Sequence, residues 1–118
     1  MKLRSVVLIL LTLSLLALLP AYGSFEDKTD SSRTLTGKVT DKQDNPLPNS
    51  VVYLSNTRTR AVKTYIVSGD GAYHFPELAP RTDYEVYAQY KGQKSDTKTV
   101  SQFDERKLVN INLKIDAR

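Results

Sequence analysis

The sequence has no cysteine and no tryptophan, and only one histidine, five glycines and five prolines in 118 residues. Without cysteine there is no disulfide, no thiolate zinc site, no cysteine nucleophile and no lipid-modified N-terminal cysteine. A single histidine, His74, excludes a multi-histidine metal centre. No block of lysine and arginine occurs. The formal charge is +4, but Lys2 and Arg4 lie in an N-terminal stretch without acids, so the remainder carries 15 − 13 = +2. That balance supplies no electrostatic footprint for nucleic acid, which is not expected as a partner.

The N-terminal stretch has three parts. Lys2 and Arg4 form a positive head, Val6 to Leu19 is a run of 14 uncharged, mostly apolar residues, and Pro20 precedes the small residues Ala21 and Gly23. This is the layout of a secretory signal peptide cut after Gly23. A membrane-spanning helix needs about 20 apolar residues, and this core is shorter. Residues 1–23 are therefore expected to be a signal peptide, leaving no stable membrane span after cleavage. The protein is expected to be periplasmic or secreted. The other 118 − 23 = 95 residues suffice for one small domain and not for two. An exported domain without disulfides must rest on a well-made core, which suits a bacterial envelope or exterior. Residues 24–33 (SFEDKTDSSR) are polar and aperiodic, and are expected to be a flexible tether.

From Thr34 onward the hydrophobic period is two. Leu35, Gly37 and Val39 alternate with threonines and Lys38, and Asp41 to Pro48 (DKQDNPLP) is a turn cluster. Strands are expected over 34–40, 50–55, 61–68, 72–75, 83–90, 93–100 and 109–115. Gly69-Asp70-Gly71 reads as a hairpin turn returning to Ala72 to Phe75, and Lys91-Gly92 as another turn. Leu78 should point inward from a compact loop. Residues 93–100 are lysine-rich, as an exposed edge strand guarded against sheet addition would be. Residues 101–107 (SQFDERK) could hold a single turn. Seven strands, each with one apolar face, must pair as two facing sheets. The expected fold is all-β: a seven-stranded β-sandwich over 34–118.

Three segments in order resemble a known family. They are Leu35 to Val39 (LTGKV) with Asp44 to Pro48 (DNPLP) and Val51 to Leu54 (VVYL); Ser68 to Phe75 (SGDGAYHF); and Leu78 to Pro80 (LAP) leading to Tyr84 to Ala88 (YEVYA). Together they are similar to the carboxypeptidase regulatory-like domain, a transthyretin-like (Ig-like, prealbumin-like) β-sandwich. The likeness runs over about residues 34–100, with 109–115 as a closing strand. It implies a non-catalytic accessory domain, with no cofactor or metal. In such a fold Gly37 would let a backbone or a ring approach, and Leu47 would plug one end. Tyr73 and Phe75 would fill the space between the sheets, and Tyr84 would return its hydroxyl to nearby backbone. Asn45 and Asn49 stand where the pattern often has glycine, and both tolerate left-handed turns. Arg60 and Arg81 also replace loop glycines of the pattern, so the loops at that end are expected to be locally unusual. Hydroxyisourate hydrolase shares the architecture but relies on several histidines and a C-terminal Tyr-Arg-Gly-Ser segment; this chain ends KIDAR. No enzyme activity is expected.

Among candidate side chains, His74 faces opposite to Tyr73 and Phe75 and should be a surface residue. Asp41, Asp44 and Asp70 have the spacing of turn formers rather than of a calcium loop. Tyr53, Tyr65 and Tyr87 are expected on outward strand faces. With Lys63 they would form an aromatic platform for a sugar or a peptide. Arg58, Arg60 and Arg81 are expected in loops gathered at one end, as contacts for an anionic polymer or an acidic partner. The expected function is a monomeric, exported, non-catalytic binding or interaction module. Its partner would be a cell-envelope protein or a polysaccharide. The alternatives are carbohydrate binding through the tyrosines, or a structural role in which an edge strand pairs with a larger envelope protein.

Overall fold

Alternating apolar residues become strands throughout the part of the chain that the computed structural model describes, residues 31–117. The expected signal peptide and residues 24–30 of the expected tether lie outside the described residues. The strands are β1 (Arg33–Thr40), β2 (Val51–Asn56), β3 (Val62–Ile66), β4 (Ala72–Leu78), β5 (Tyr84–Tyr90), β6 (Gln93–Lys94), β7 (Lys98–Val100), β8 (Leu108–Asn110) and β9 (Leu113–Lys114). One sheet has the order β4-β1-β8, with β9 also against β1. The other has the order β3-β2-β5-β6, with β7 also against β5. Pairing is antiparallel except where β8 and β9 run parallel to β1.

The inner faces meet in one core. Leu35, Val39, Tyr73, Phe75, Leu78, Val109 and Leu113 come from the first sheet, and Val52, Leu54, Tyr84, Val86, Ala88 and Val100 from the second. Each large apolar side chain buried here is worth roughly 1.5–3 kcal/mol relative to exposure. Leu47, held between Pro46 and Pro48, closes one end. Its N–H donates to the Val39 carbonyl at 3.0 Å and its side chain joins the core. The expected plug is therefore present.

The strand count departs from seven because two of the expected strands are interrupted. Between β6 and β7 the register against β5 shifts by one residue: Gln89 faces Lys94, while Val86 faces Lys98. The extra residue is a bulge around Ser95, whose buried hydroxyl accepts the Ala88 N–H at 2.9 Å. Between β8 and β9 the register against β1 does not change. There the ladder is replaced by side chains. Asn112 Oδ1 accepts the Lys38 N–H at 2.9 Å, and the Ile111 carbonyl turns to accept the Tyr73 hydroxyl at 2.6 Å. Gly37 makes this possible, because a Cβ on it would sit 1.8 Å from the Ile111 oxygen and 2.9 Å from the Tyr73 ring.

Four local expectations are corrected. β1 starts at Arg33, which is buried, so the expected tether cannot extend to that residue. Ser68 to Gly71 does form a turn, with the Gly71 N–H donating to the Ser68 carbonyl at 2.9 Å. It is not a hairpin, because β3 pairs with β2 and β4 with β1, so the chain changes sheets there. β4 runs on to Leu78 through a bulge at Pro76 and Glu77, where Thr34 alone faces two residues and Glu77 has φ 58°. Left-handed backbone occurs at Asn49 as expected, but in the first turn at Asp44 (φ 68°) instead of Asn45, and the unusual loops have it at Arg60 and Arg81 as well.

The remaining turns follow their chemistry. Lys91 and Gly92, with φ 47° and 81°, make the two-residue loop of the β5–β6 hairpin. The Tyr84 hydroxyl accepts the Ala79 N–H at 2.8 Å, as a tyrosine corner would. Residues 101–104 form a single turn closed by the Asp104 N–H on the Ser101 carbonyl at 3.1 Å.

Candidate functional site

The outer face of the sheet β3-β2-β5-β6 carries two of the three aromatic side chains that the sequence put forward, Tyr53 and Tyr87. Register fixes the rows across it. Ile66, Val51, Gln89 and Lys94 make one row, Thr64, Tyr53 and Tyr87 the next, and Val62, Ser55 and Glu85 the third. Tyr53 and Tyr87 are half-buried neighbours whose rings stack at 5.0 Å with 19° between planes. Lys94 places its ammonium 4.4 Å from the centre of the Tyr87 ring. Tyr53 reaches Tyr87 from β2 and Lys94 from β6, on opposite flanks, so both faces of the Tyr87 ring are covered. Beside this column Val62 and Ile66 are 59% and 68% exposed, the latter among the most exposed large apolar side chains of the described residues.

Tyr65 and Lys63 do not belong to this platform. Tyr65 faces Val52 in register, and Lys63 faces Leu54, so both project to the core side of β3. Tyr65 packs edge-on against Phe75 at 5.9 Å. Alternation had the right period here but the wrong phase, because β3 is an edge strand whose outward residues include Val62 and Ile66.

The arginine loops are tied together. The Thr57 N–H and hydroxyl both donate to the Asp83 carbonyl, at 3.1 and 3.0 Å, joining the β2–β3 loop to the β4–β5 loop. Arg58, Arg60 and Arg81 are all exposed on these loops. They do not converge on one depression. Arg60 borders a shallow one with Ser55, Asn56, Val62 and Glu85, whereas Arg81 borders another with Arg33, Gln102 and Lys107.

Sequence reasoning missed Arg33. It is 3% exposed and donates to four carbonyls: Ala79 at 2.9 Å, Thr82 at 2.6 Å, Ser101 at 2.8 Å and Asp104 at 3.1 Å. Its guanidinium also lies 6.0 Å from the centre of the Tyr84 ring. One planar fork thus fastens two loops to the end of the sandwich, a geometry an ammonium cannot copy. The signal was available, since Arg33 continues the inward phase of Leu35, Gly37 and Val39. Nearby, hydrogen bonds from Arg106 hold the Asp104 carboxyl down at about 2, with a smaller contribution from the Arg33 charge.

The other titratable candidates lie where their chemistry is structural. His74 is exposed on β4 opposite Thr36. Asp41 accepts the Asn45 and Gln43 N–H groups, each at 2.9 Å, and the Asn45 bond leads in lowering its pKa. Asp70 accepts the Ser68 hydroxyl at 2.7 Å and the Ala72 N–H at 3.0 Å, which likewise lower its pKa, the Ser68 bond most. Asp44 is ion-paired with Lys114. Burial pushes the Tyr73 hydroxyl above the ordinary tyrosine range.

These features define a β-sandwich module whose polar side chains serve turns and loop fastening, with one exposed aromatic and apolar sheet face. The family profile of the carboxypeptidase regulatory-like domain matches residues 34–115, and the chain belongs to that family. No curated protein sequence matches it. Among solved structures it is similar to the dioxygenase domain of a dioxygenase and carbohydrate-binding fusion from Streptomyces sp. SirexAA-E, at 13% identity and TM-score 0.57, over 79% of this chain and 84% of that one. It is also similar to BcpA, the major pilin subunit of Bacillus cereus, at 10% identity and TM-score 0.59, over 73% of this chain but 30% of the pilin. The group B streptococcus pilus 2b backbone protein gives 16% identity and TM-score 0.54, over 71% of this chain and 40% of the pilus protein. At such identities the likeness is one of fold alone, shared by enzymes and pilus subunits alike.

Proposed function

We propose that this protein is an exported, non-catalytic interaction module of the bacterial envelope or exterior. Its contact surface is the outer face of β3-β2-β5-β6. The observation that carries this reading is the exposure of Val62 and Ile66, 59% and 68%, beside the Tyr53–Tyr87 stack. Large apolar side chains exposed next to aromatics on a flat sheet are the composition of a protein-binding patch. Family membership supports an accessory role, and the N-terminal sequence supports export.

The test is site-specific photo-crosslinking in the native host. A photoreactive residue in place of Ile66 should capture a partner, and one in place of His74, on the opposite sheet, should not. Equal capture from both faces, or none from either, would end the reading. Cell fractionation checks export, since the protein should leave the cytoplasm.

A saccharide ligand is the second reading, favoured by the Tyr53–Tyr87 stack. Because Tyr87 is covered on both flanks, a sugar ring would have to lie on Tyr53 toward Thr64. Tyrosine fluorescence should then respond to cell-wall or plant polysaccharides and lose that response in Tyr53→Ala. A panel without any response removes this reading.

A further inference from the structure

The free edge of β3 has an unusual property: its sequence complements itself. Hydrogen bonds link Asn56 to Ala61 and Ser50 to Val67 across the β2–β3 pair, so the odd-numbered residues of β3 turn their backbone groups toward β2. By the two-residue period, Val62, Thr64 and Ile66 aim their N–H and C=O groups away from the sheet. No strand pairs with that side among the described residues. The opposite edge of the same sheet is less suited to addition. It is broken by the bulge at Ser95, and Lys94 and Lys98 stand along it.

We propose that β3 pairs with β3 of a second copy of this chain, antiparallel and centred on Thr64, joining two sheets into one continuous sheet. The proposal rests on reading the outer face of this sheet as the contact surface, and departs from the monomer expected from sequence. In this register Thr64 faces Thr64 of the other copy, and Val62 faces Ile66. Both kinds of pair exchange their backbone bonds. Lys63 faces Tyr65 in the intervening position, where side chains approach more closely. Each of these pairs is favourable. Val62 against Ile66 buries two of the exposed apolar side chains on the outer face. Threonine against threonine is a stabilising cross-strand pair. On the inner side the Lys63 stem and ammonium would cover the half-buried Tyr65 ring. No like charges stand directly opposite each other. A shift of the register by one residue would place these apolar side chains against the opposite face and lose the match.

The test uses the protein as processed by an export-competent cell, with sedimentation measured along a dilution series from millimolar to micromolar. Wild type should pass from twice the chain mass to the chain mass. Thr64→Pro removes an N–H that bonds nothing within the sheet, so it should leave the circular-dichroism spectrum unchanged and abolish the dimer. Val62→Lys with Ile66→Lys sets like charges opposite each other and should also give monomer. Val62→Glu with Ile66→Lys sets opposite charges there, and should restore a dimer that weakens with salt. A wild-type chain that stays monomeric at millimolar concentration overturns the proposal. So does a dimer that survives Thr64→Pro or the double lysine variant. A monomer that still crosslinks a partner through Ile66 would end self-pairing while leaving the interaction module standing.

Discussion

Tyr73 donates its hydroxyl to the Ile111 carbonyl at 2.6 Å across the bare backbone of Gly37. Three segments meet at this contact, because β1 supplies the gap, β4 the ring and the link between β8 and β9 the carbonyl. Gly37→Ala should therefore lose about 2–4 kcal/mol, since a methyl group has backbone on one side and an immobile ring on the other. Tyr73→Phe keeps the ring but leaves a part-buried carbonyl without its donor, at about 1–3 kcal/mol. Urea unfolding measures both. The double variant should cost less than the sum, because both act on one contact.

Arg33 should matter more than its place before the first motif suggests. Arg33→Met leaves the carbonyls of Ala79, Thr82, Ser101 and Asp104 without their donor, for a loss on the order of 3–5 kcal/mol. Arg33→Lys should recover only part of it, since one ammonium cannot span both loops in a plane. Amide exchange should quicken first within residues 79–82 and 101–104. A chain trimmed to begin at Thr34 should behave like Arg33→Met.

Alkaline pH should unfold this protein through Tyr73. Its folded pKa is raised, so its contribution is complete below the ordinary tyrosine value of 10.0 and is lost as pH rises beyond it. The decline approaches about 1.4 kcal/mol per pH unit. Denaturant midpoints measured between neutral and strongly alkaline pH should fall more steeply for wild type than for Tyr73→Phe. Asp104 works in the other direction. Its depressed pKa gives stability present above the ordinary carboxyl value of 3.8 and lost as pH falls toward about 2. Its partner Arg106 is exposed to solvent, so that effect is small.

The bulge between β6 and β7 should depend on one hydroxyl. Ser95→Ala leaves the buried Ala88 N–H without its 2.9 Å acceptor, at about 1–3 kcal/mol, and Ser95→Thr should retain most of the stability. Thermal melting of the two variants side by side decides the matter.

Much of this fold was legible beforehand. Leu35, Val39, Tyr73, Phe75, Leu78 and Leu47 lie inside as the alternation and the proline bracket imply, and Gly37 admits both a backbone and a ring. The site was legible only in part. Tyr53 and Tyr87 meet on the outer face, whereas Tyr65 and Lys63 turn to the core side. The β3 pattern, VKTYI, has apolar residues in both phases, so nothing local decided which phase faces inward. Arg33 escaped notice because a charged residue after a polar stretch looks solvated. Its burial depends on carbonyls 46 to 71 positions away.

By itself the sequence determined which residues alternate, where glycine and proline chemistry turns the chain, and hence an all-β core. Those are properties of neighbouring residues and local sterics. Tertiary structure alone decided that the turn at Ser68 to Gly71 changes sheets, that β3 is a free edge, that Ile66 faces outward and that Arg33 is buried. A two-residue period fixes the relative orientation of side chains within one strand. Which face is buried, and which edge stays unpaired, depends on register and partners that distant segments supply.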